Sequence, residues 1–387
     1  MKFKISLKLI CVGLMFIIVS TSILAADIIR THIITLDYNT ISTISQLDYY
    51  VKNDFYYSID KGDFNDSILE GYVNGLGDKY AEYYSKADAS IHSDSLNGNA
   101  YGIGVMCLNT KESDGIYIWK TYKDGPANLS GIKAGDIITH IDNISVKELG
   151  YDKALTEIKK DKKLNLTIIR NKEKFNVKIK PSKYDLQSVY EKTLEGNIGY
   201  IQVITFNNKT YPQFIAAIDG LKKENIKGLI IDLRHNGGGT VDSAAKMLDY
   251  ILPKGDTIRV KDNSGKITVR NKSDKKAINI PLAVLVDGNT ASAAEIFACA
   301  VRDFNRGVLI GTKTYGKSVI QRSYELSNGG KAKFTIAEFV DKNGNSFNEI
   351  GLEPDIKVFE KDITDYEYYF LNYNNDKVLQ RAVEYLS

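Results

Sequence analysis

Cysteine is scarce: the 387 residues hold three, Cys11, Cys107 and Cys299, too few for a disulfide framework. Net charge is scarce too. Lys+Arg number 51 against 48 Asp+Glu, a formal +3. Lys2, Lys4 and Lys8 all lie within the first 26 residues, so the remainder is near neutral. That balance gives no footing to nucleic acid or to an anionic membrane surface. Histidine is limited to His32, His92, His140 and His235. There is no internal repeat and no low-complexity linker. Apolar content of 43% and charged content of 26% are those of an ordinary globular chain, and the length suits two or three domains.

The N-terminus is basic ("MKFKISLK") and then apolar and uncharged over 9–24, with Ala25-Ala26 after it. This predicts a Sec-type export signal or an uncleaved signal anchor over 1–26; a run of that length is short for a span but sufficient with its flanks. A buried core helix is the alternative. Cys11 lies inside the apolar run, not in a lipobox. A chain rich in Lys, Asn and Ile and poor in Cys suggests a bacterial cell envelope, hence an extracytoplasmic location.

Residues 27–98 read as a helical segment. "ISQLDYYVKNDFYY" and "FNDSILEGYVNGLGDKYAEYY" repeat apolar residues at three-to-four spacing. From 99 to 183 the texture changes to short strands with Gly turns, an amphipathic helix ("YDKALTEIKK") and a hairpin ("KLNLTIIRNKEKFNVKIK"), which fits a small α/β module closed on itself. From 184 to 387 apolar strands ("IGYIQVITF", "KGLIIDLR", "PLAVLVD", "RGVLIG") alternate with helices, and a β-rich tail is expected after them. That is a β–α–β pattern whose sheet is covered by helices.

Three motifs carry chemistry. "GTKTYGKS" (311–318) matches the phosphate-loop pattern G-x-x-x-x-G-K-[ST]. That loop needs a helix after it for its dipole and amides. The following "VIQRSYELSNGGKAKFTIAEFV" has no helical stripe and an N-G-G turn, so it reads as a hairpin, and nucleotide binding is left as the third reading. In "DGNTASAAEIF" (287–297), Ser292 stands where a strand turns into a helix, and S292-A-A-E295 also reads as a capping box. Small neighbours leave its hydroxyl approachable, and a helix N-terminus favours the charge that a reacting carbonyl oxygen develops. In "DLRHNGGGTV" (232–241), glycines let backbone N–H groups face a cleft; the structural alternative is a tight turn with Arg234 pairing locally.

Taken with "GIKAGDIITHIDN", "RDFNRGVLIGTKTYGKSVIQ" and "GLEPDI", these motifs resemble the C-terminal processing peptidases, also called tail-specific proteases, from about Ser42 to the end. The resemblance implies an α/β multidomain chain: a crotonase/Clp-protease-like βαβ peptidase core with an inserted PDZ domain and an N-terminal helical segment. It implies a Ser/Lys endopeptidase acting on unfolded or C-terminal segments of envelope proteins. Ser292 corresponds to the nucleophile, Lys317 to the base and Gln321 to the lysine-orienting glutamine. The oxyanion donors correspond to the Ala293 amide and a glycine amide, Gly238 or Gly239. Burial can lower a lysine's pKa by several units, and a neutral amine in reach of Ser292 could then take its proton. A neutral glutamine fixes the amine without stabilising the ammonium.

Two departures stand out: Gly237 where the family usually has proline, and His235 where Asn or Gln is common. The second opens a Ser-His alternative. A catalytically silent PDZ-bearing envelope binding protein is the other. "YGIGV" resembles the PDZ carboxylate-binding loop, with Tyr101, Gly102, Ile103 and Gly104 taking a peptide that adds as a strand; recruitment and inhibition by such a domain both stay open. "DKNGNSFNE" (341–349) hints at a calcium loop, but its glycine is fourth rather than sixth, so a hairpin turn at Asn343-Gly344 is expected. No metal or cofactor is expected. The partners expected are protein or peptide substrates with accessible C-terminal segments, with a regulatory envelope partner, a membrane contact through residues 1–26 and homo-oligomerisation left open.

Overall fold

The computed structural model describes residues 36–109, 114–274, 277–359 and 365–387. The signal or anchor expected over 1–26 lies outside them. The chain forms two compact units, Met1–Asn65 and Asp66–Ser387. Helix α1 (Tyr38–Asp54) belongs to the first, capped by the Asp37 carboxylate on the Thr40 amide at 2.6 Å, and α2 (Lys61–Asn74) crosses the boundary. Strand β1 (Glu82–Tyr84) and α3 (Lys86–Leu96) follow. The stretch read as helical therefore also supplies a strand.

The next module begins at β2 (Asn99–Gly102) and returns at β9 (Ser182–Asp185), which pair antiparallel and bring its entry and exit together. Between them run β3 (Val105–Leu108), β4 (Ile116–Thr121), α4 (Pro126–Leu129), β5 (Ile137–Ile141), β6 (Ile144–Ser145), α5 (Val146–Leu149), α6 (Tyr151–Glu157), β7 (Leu164–Arg170) and β8 (Glu173–Ile179). The sheet order is β3-β4-β5-β7-β8, with β6 on β5. Alternation puts Ile116 and Ile118, and Leu164, Leu166 and Ile168, in one apolar core. The β7–β8 hairpin turns on Asn171 and Lys172, both at positive φ (50° and 70°), the twist that tight hairpins require.

The remainder is built on a six-stranded sheet. Its elements are β10 (Val189–Leu194), β11 (Ile198–Val203), α7 (Thr210–Lys223), β12 (Gly228–Asp232), α8 (Val241–Ile251), β13 (Gly255–Lys261), β14 (Ile267–Ser273), β15 (Leu282–Val286), α9 (Ala293–Asp303), β16 (Val308–Gly311), β17 (Val319–Glu325), β18 (Lys331–Val340), β19 (Ile356–Lys357), α10 (Asp365–Tyr368) and α11 (Lys377–Leu386). The order is β10-β11-β12-β15-β16-β19, parallel except for β10. Ile201, Leu229, Ile231 and Val284 face α7, α8 and α9. Tyr200, Ile230, Ala283 and Leu285 face α11. Both faces are covered, which is why these strands read as unbroken apolar runs.

A second sheet runs β1-β18-β13-β14, with β17 also on β18. The hairpin expected after Lys317 is β17–β18. The tail departs from the β-rich expectation: it ends in α11, whose Val378, Leu379, Ala382 and Val383 are buried at helical spacing. Cys107 and Cys299 are free thiols, and burial pushes both up to about 12. Among the described residues no helix is long and apolar enough to cross a membrane.

Candidate active site

Three neighbouring parallel strands, β12, β15 and β16, end on one edge of the sheet, and the loops leaving them carry the residues singled out in the sequence. Outside the carboxyl ends of strands is where open α/β sheets place their sites.

Ser292 follows the buried β15 and precedes α9, with φ 57° and ψ −119°. A non-glycine residue in that region is strained and persists only where its surroundings hold it. The loop from β12 lies directly against it. A Cβ on Gly238 would stand 2.8 Å from the Ser292 Cβ and 2.9 Å from the Ala293 nitrogen, so only glycine allows this approach. Asn236, fully buried, fixes the loop. Its Nδ2 donates to the Val203 carbonyl at 2.7 Å, its Oδ1 accepts from the Gly238 amide at 2.8 Å, and its carbonyl accepts from the Ala291 amide at 2.9 Å. The Gly238 N–H is thus committed. Among the described residues the amides of Gly239 and Ala293 have no hydrogen-bond partner.

Glu295 does more than the capping box implies. It is fully buried. Its Oε2 accepts from the Ser292 amide at 2.9 Å and from the Lys317 amide at 2.8 Å. Its Oε1 accepts from the Gly316 amide at 2.7 Å and the Thr314 hydroxyl at 2.5 Å. One carboxylate therefore locks the backbones of both residues of the expected dyad. The same bonds occupy the amides that a phosphate loop would offer, and β17, a strand, follows the loop.

Lys317 is half-buried, with Nζ 4.3 Å from the centroid of the Tyr80 ring. Burial pushes its pKa below the usual lysine value and the Lys333 ammonium adds to that, against Glu82, Asp78 and Glu295. Gln321 lies opposite Thr335 in the β17–β18 ladder, with Nε2 3.4 Å from the Thr335 hydroxyl, a long contact for a hydrogen bond. Val319 and Ile320, just after Lys317, line a groove of about 990 Å³ between β13–β14 and β17–β18.

His235, also at positive φ (57°), has Nδ1 2.5 Å from Asp287 Oδ2, and its ring stacks 3.7 Å from Tyr368. Arg234 pairs locally, as the structural alternative held, and also further afield. It grips Asp232 through Nε at 3.0 Å and Nη2 at 2.7 Å, and Asp376 through Nη1 at 2.9 Å and Nη2 at 2.7 Å. Asp376 caps α11 at the Leu379 amide, 2.8 Å away.

In the small module Tyr101 is exposed, while Gly102, Ile103 and Gly104 are buried. The Ile103 carbonyl accepts from the Ala127 amide at 2.7 Å and the Gly104 carbonyl from the Tyr122 amide at 3.0 Å. Gly104 has φ 77° and a Cβ there would lie 3.2 Å from the Gly125 Cα. Strand β3, which follows this loop, ends the sheet order. Asp341 organises the 341–345 turn by accepting from the Asn343 and Asn345 amides at 2.9 and 2.8 Å, with Gly344 at φ 85°. Among the described residues no cluster of three His, Cys, Asp or Glu could hold a metal ion.

Comparison with known proteins places both modules in described families. Residues 197–358 match peptidase family S41, and residues 102–180 match a PDZ domain. The chain is 30% identical over 358 residues to a protein of Staphylococcus aureus (strain MRSA252) named a probable CtpA-like serine protease, covering 90% of this chain and 71% of that one. A protein of the same name from strain COL is 30% identical over 328 residues, 83% of this chain and 65% of its own length; this chain thus spans about two thirds or less of the first relatives it matches. A solved structure named as an S41 protease from Bacteroides fragilis is similar in fold, with TM-score 0.58 at 15% identity, covering 86% of this chain and 92% of that one. The chain belongs to the S41 family of C-terminal processing peptidases with an embedded PDZ domain.

Proposed function

We propose that the chain is an exported serine endopeptidase that cuts unfolded or C-terminal segments of envelope proteins with a Ser292/Lys317 dyad. The observation that carries this reading is Glu295, whose one carboxylate accepts the amides of both Ser292 and Lys317. A neutral Lys317 amine takes the Ser292 hydroxyl proton as the oxygen attacks the scissile carbonyl. The Ala293 amide and a glycine amide of the 238–239 loop receive the oxyanion. Gly239 is the uncommitted one; Gly238 serves only if its bond to Asn236 opens. The resulting Lys317 ammonium protonates the leaving nitrogen as its C–N bond breaks, and water, deprotonated by the regenerated amine, attacks the acyl carbon and frees it from Ser292. Gln321 orients the amine from β17. The loop at Tyr101–Gly104 captures a C-terminal carboxylate, the segment pairing with the edge of β3. No cofactor enters these steps, and residues 1–26 place the chain outside the cytoplasm.

The full-length chain, as wild type, Ser292→Ala, Lys317→Ala and His235→Ala, is incubated with casein and the fragments are followed by mass spectrometry. Wild type and His235→Ala cut, while the other two stay folded and inert. His235 has its own orienting carboxylate in Asp287. Cutting by Lys317→Ala together with inertness of His235→Ala transfers the base to that residue. Inertness of all four is the outcome expected of a silent PDZ-bearing binding protein and equally of a protease that awaits its activator. Equal rates on peptides with free and amidated C-termini overturn carboxylate capture.

A further inference from the structure

A lysine that serves as base must give up its proton near neutral pH, yet much around Lys317 works the other way. Its Nζ lies over the Tyr80 ring, a contact that favours the ammonium, and Asp78, Glu82 and Glu295 all favour the charged form. Burial opposes them, with the Lys333 ammonium adding to it, and this amine is only half-buried.

A second amine meets the same 78–84 run over which Lys317 lies. Lys333 on β18 lies opposite Glu82 of β1 and Ser323 of β17. Its Nζ is 2.6 Å from Glu82 Oε2 and 2.9 Å from the Tyr84 hydroxyl, with 18% of the side chain exposed. Strand alternation points Lys333 and Thr335 to one face, and Thr335 is the residue that Gln321 touches. The 78–84 run serves both lysines. Asp78 accepts from the Tyr80 amide at 2.9 Å and the Thr335 amide at 2.8 Å, which sets Tyr80 under Lys317 while Glu82 and Tyr84 hold Lys333.

We propose that Lys333 is a positioning residue for the reaction: clamped by Glu82 and Tyr84 on the face that carries Thr335, it holds a fixed positive charge beside the Lys317 amine and keeps that amine free to accept a proton. The inference rests on Lys317 being the base. A like charge disfavours ionisation of its neighbour, and a cationic neighbour is one known way of activating a lysine. Lys333 itself stays charged, because Glu82 and Tyr84 outweigh the burial that would neutralise it.

The test uses the full-length chain with Lys333→Met, Lys333→Gln and Lys333→Arg. The pH profile of kcat/KM is measured, and the Lys317 amine is titrated directly by NMR after reductive 13C-methylation, its signal assigned by its loss in Lys317→Arg. The sign follows from the base having to be neutral. Without Lys333 the amine holds its proton to higher pH, so the acid limb and the NMR titration both move up, by about one unit or less. Activity lost at neutral pH then returns as pH rises through the Lys317 titration in the Met and Gln variants, and the Arg variant keeps the wild-type profile. An unshifted titration, or a loss by the same factor at every pH, overturns the proposal. The NMR titration does not depend on cleavage, so it separates this failure from that of the Ser292/Lys317 reading, which falls if Lys317→Ala still cuts.

Discussion

The PDZ domain and the peptidase core treat charge in opposite ways. The PDZ interior is a cluster of Ile, Leu, Val and Ala, and its fully buried carboxylate, Asp136, is met by an Arg170 that remains 30% exposed. In the core, Asp232, Arg234 and Asp376 are all buried, with the Arg234 side chain 5% exposed, and Glu295 is fully enclosed. Apolar packing fixes a shape and tolerates small shifts. A buried charge must meet its partners at set distances or lose several kcal/mol. The core thus uses buried charge to fix points on loops: the strand end before the 235–239 loop, and the backbones of Ser292 and Lys317.

The largest effect that can break this contrast is at Arg234. Arg234→Met leaves two buried carboxylates without a cation and costs about 3–5 kcal/mol in urea unfolding. Arg170→Met in the PDZ domain costs less than half of that, since solvent screens its guanidinium. Equal losses end the distinction. Glu295→Gln comes next. An amide group replaces one oxygen and faces two N–H or O–H donors, so stability falls by about 2–3 kcal/mol. Casein cleavage falls by a factor of about ten or more, because the loops that hold Ser292 and Lys317 are no longer tied together. Unchanged cleavage in a destabilised variant would make Glu295 a purely structural carboxylate.

How far the sequence reaches follows the same divide. Local signals are legible: the alternation in β4 and β7, the apolar runs of β12 and β15, and the turn that makes β17–β18 a hairpin. Partners at long range are not. Glu295 reads as a cap because Ser292 is three residues away, whereas Thr314, Gly316 and Lys317 lie 19 to 22 residues on. Asp376 stands 142 residues from Arg234, and no local pattern links them. β1 is three residues long, too short to show alternation inside a helical stretch. The β13–β14 hairpin drew no reading. The helix α11 did leave a trace, with apolar residues at 378, 379, 382 and 383 behind Asp376, but the Asn- and Tyr-rich stretch before it has no period.

The smallest effect sharpens the contrast at single glycines. Gly239 in the core has φ 135°, and a Cβ there would stand 2.0 Å from the Phe206 carbonyl oxygen, where the Thr240 amide already donates at 2.7 Å. Gly131 in the PDZ domain also has positive φ, 78°, but a Cβ meets nothing within 4 Å. Both Ala variants carry a positive-φ backbone penalty, about 1 kcal/mol at Gly131 and more at Gly239, whose φ lies well outside the left-handed well. The steric demand of the core loop adds to the difference. Gly239→Ala must push β11's continuation away from the loop beside Ser292, for a total of about 2–3 kcal/mol, and cleavage drops with it. Gly131→Ala costs about 1 kcal/mol and leaves casein cleavage unchanged. If the two variants unfold at the same urea concentration relative to wild type, the 238–239 loop has room to yield, and its approach to Ser292 is not held by packing.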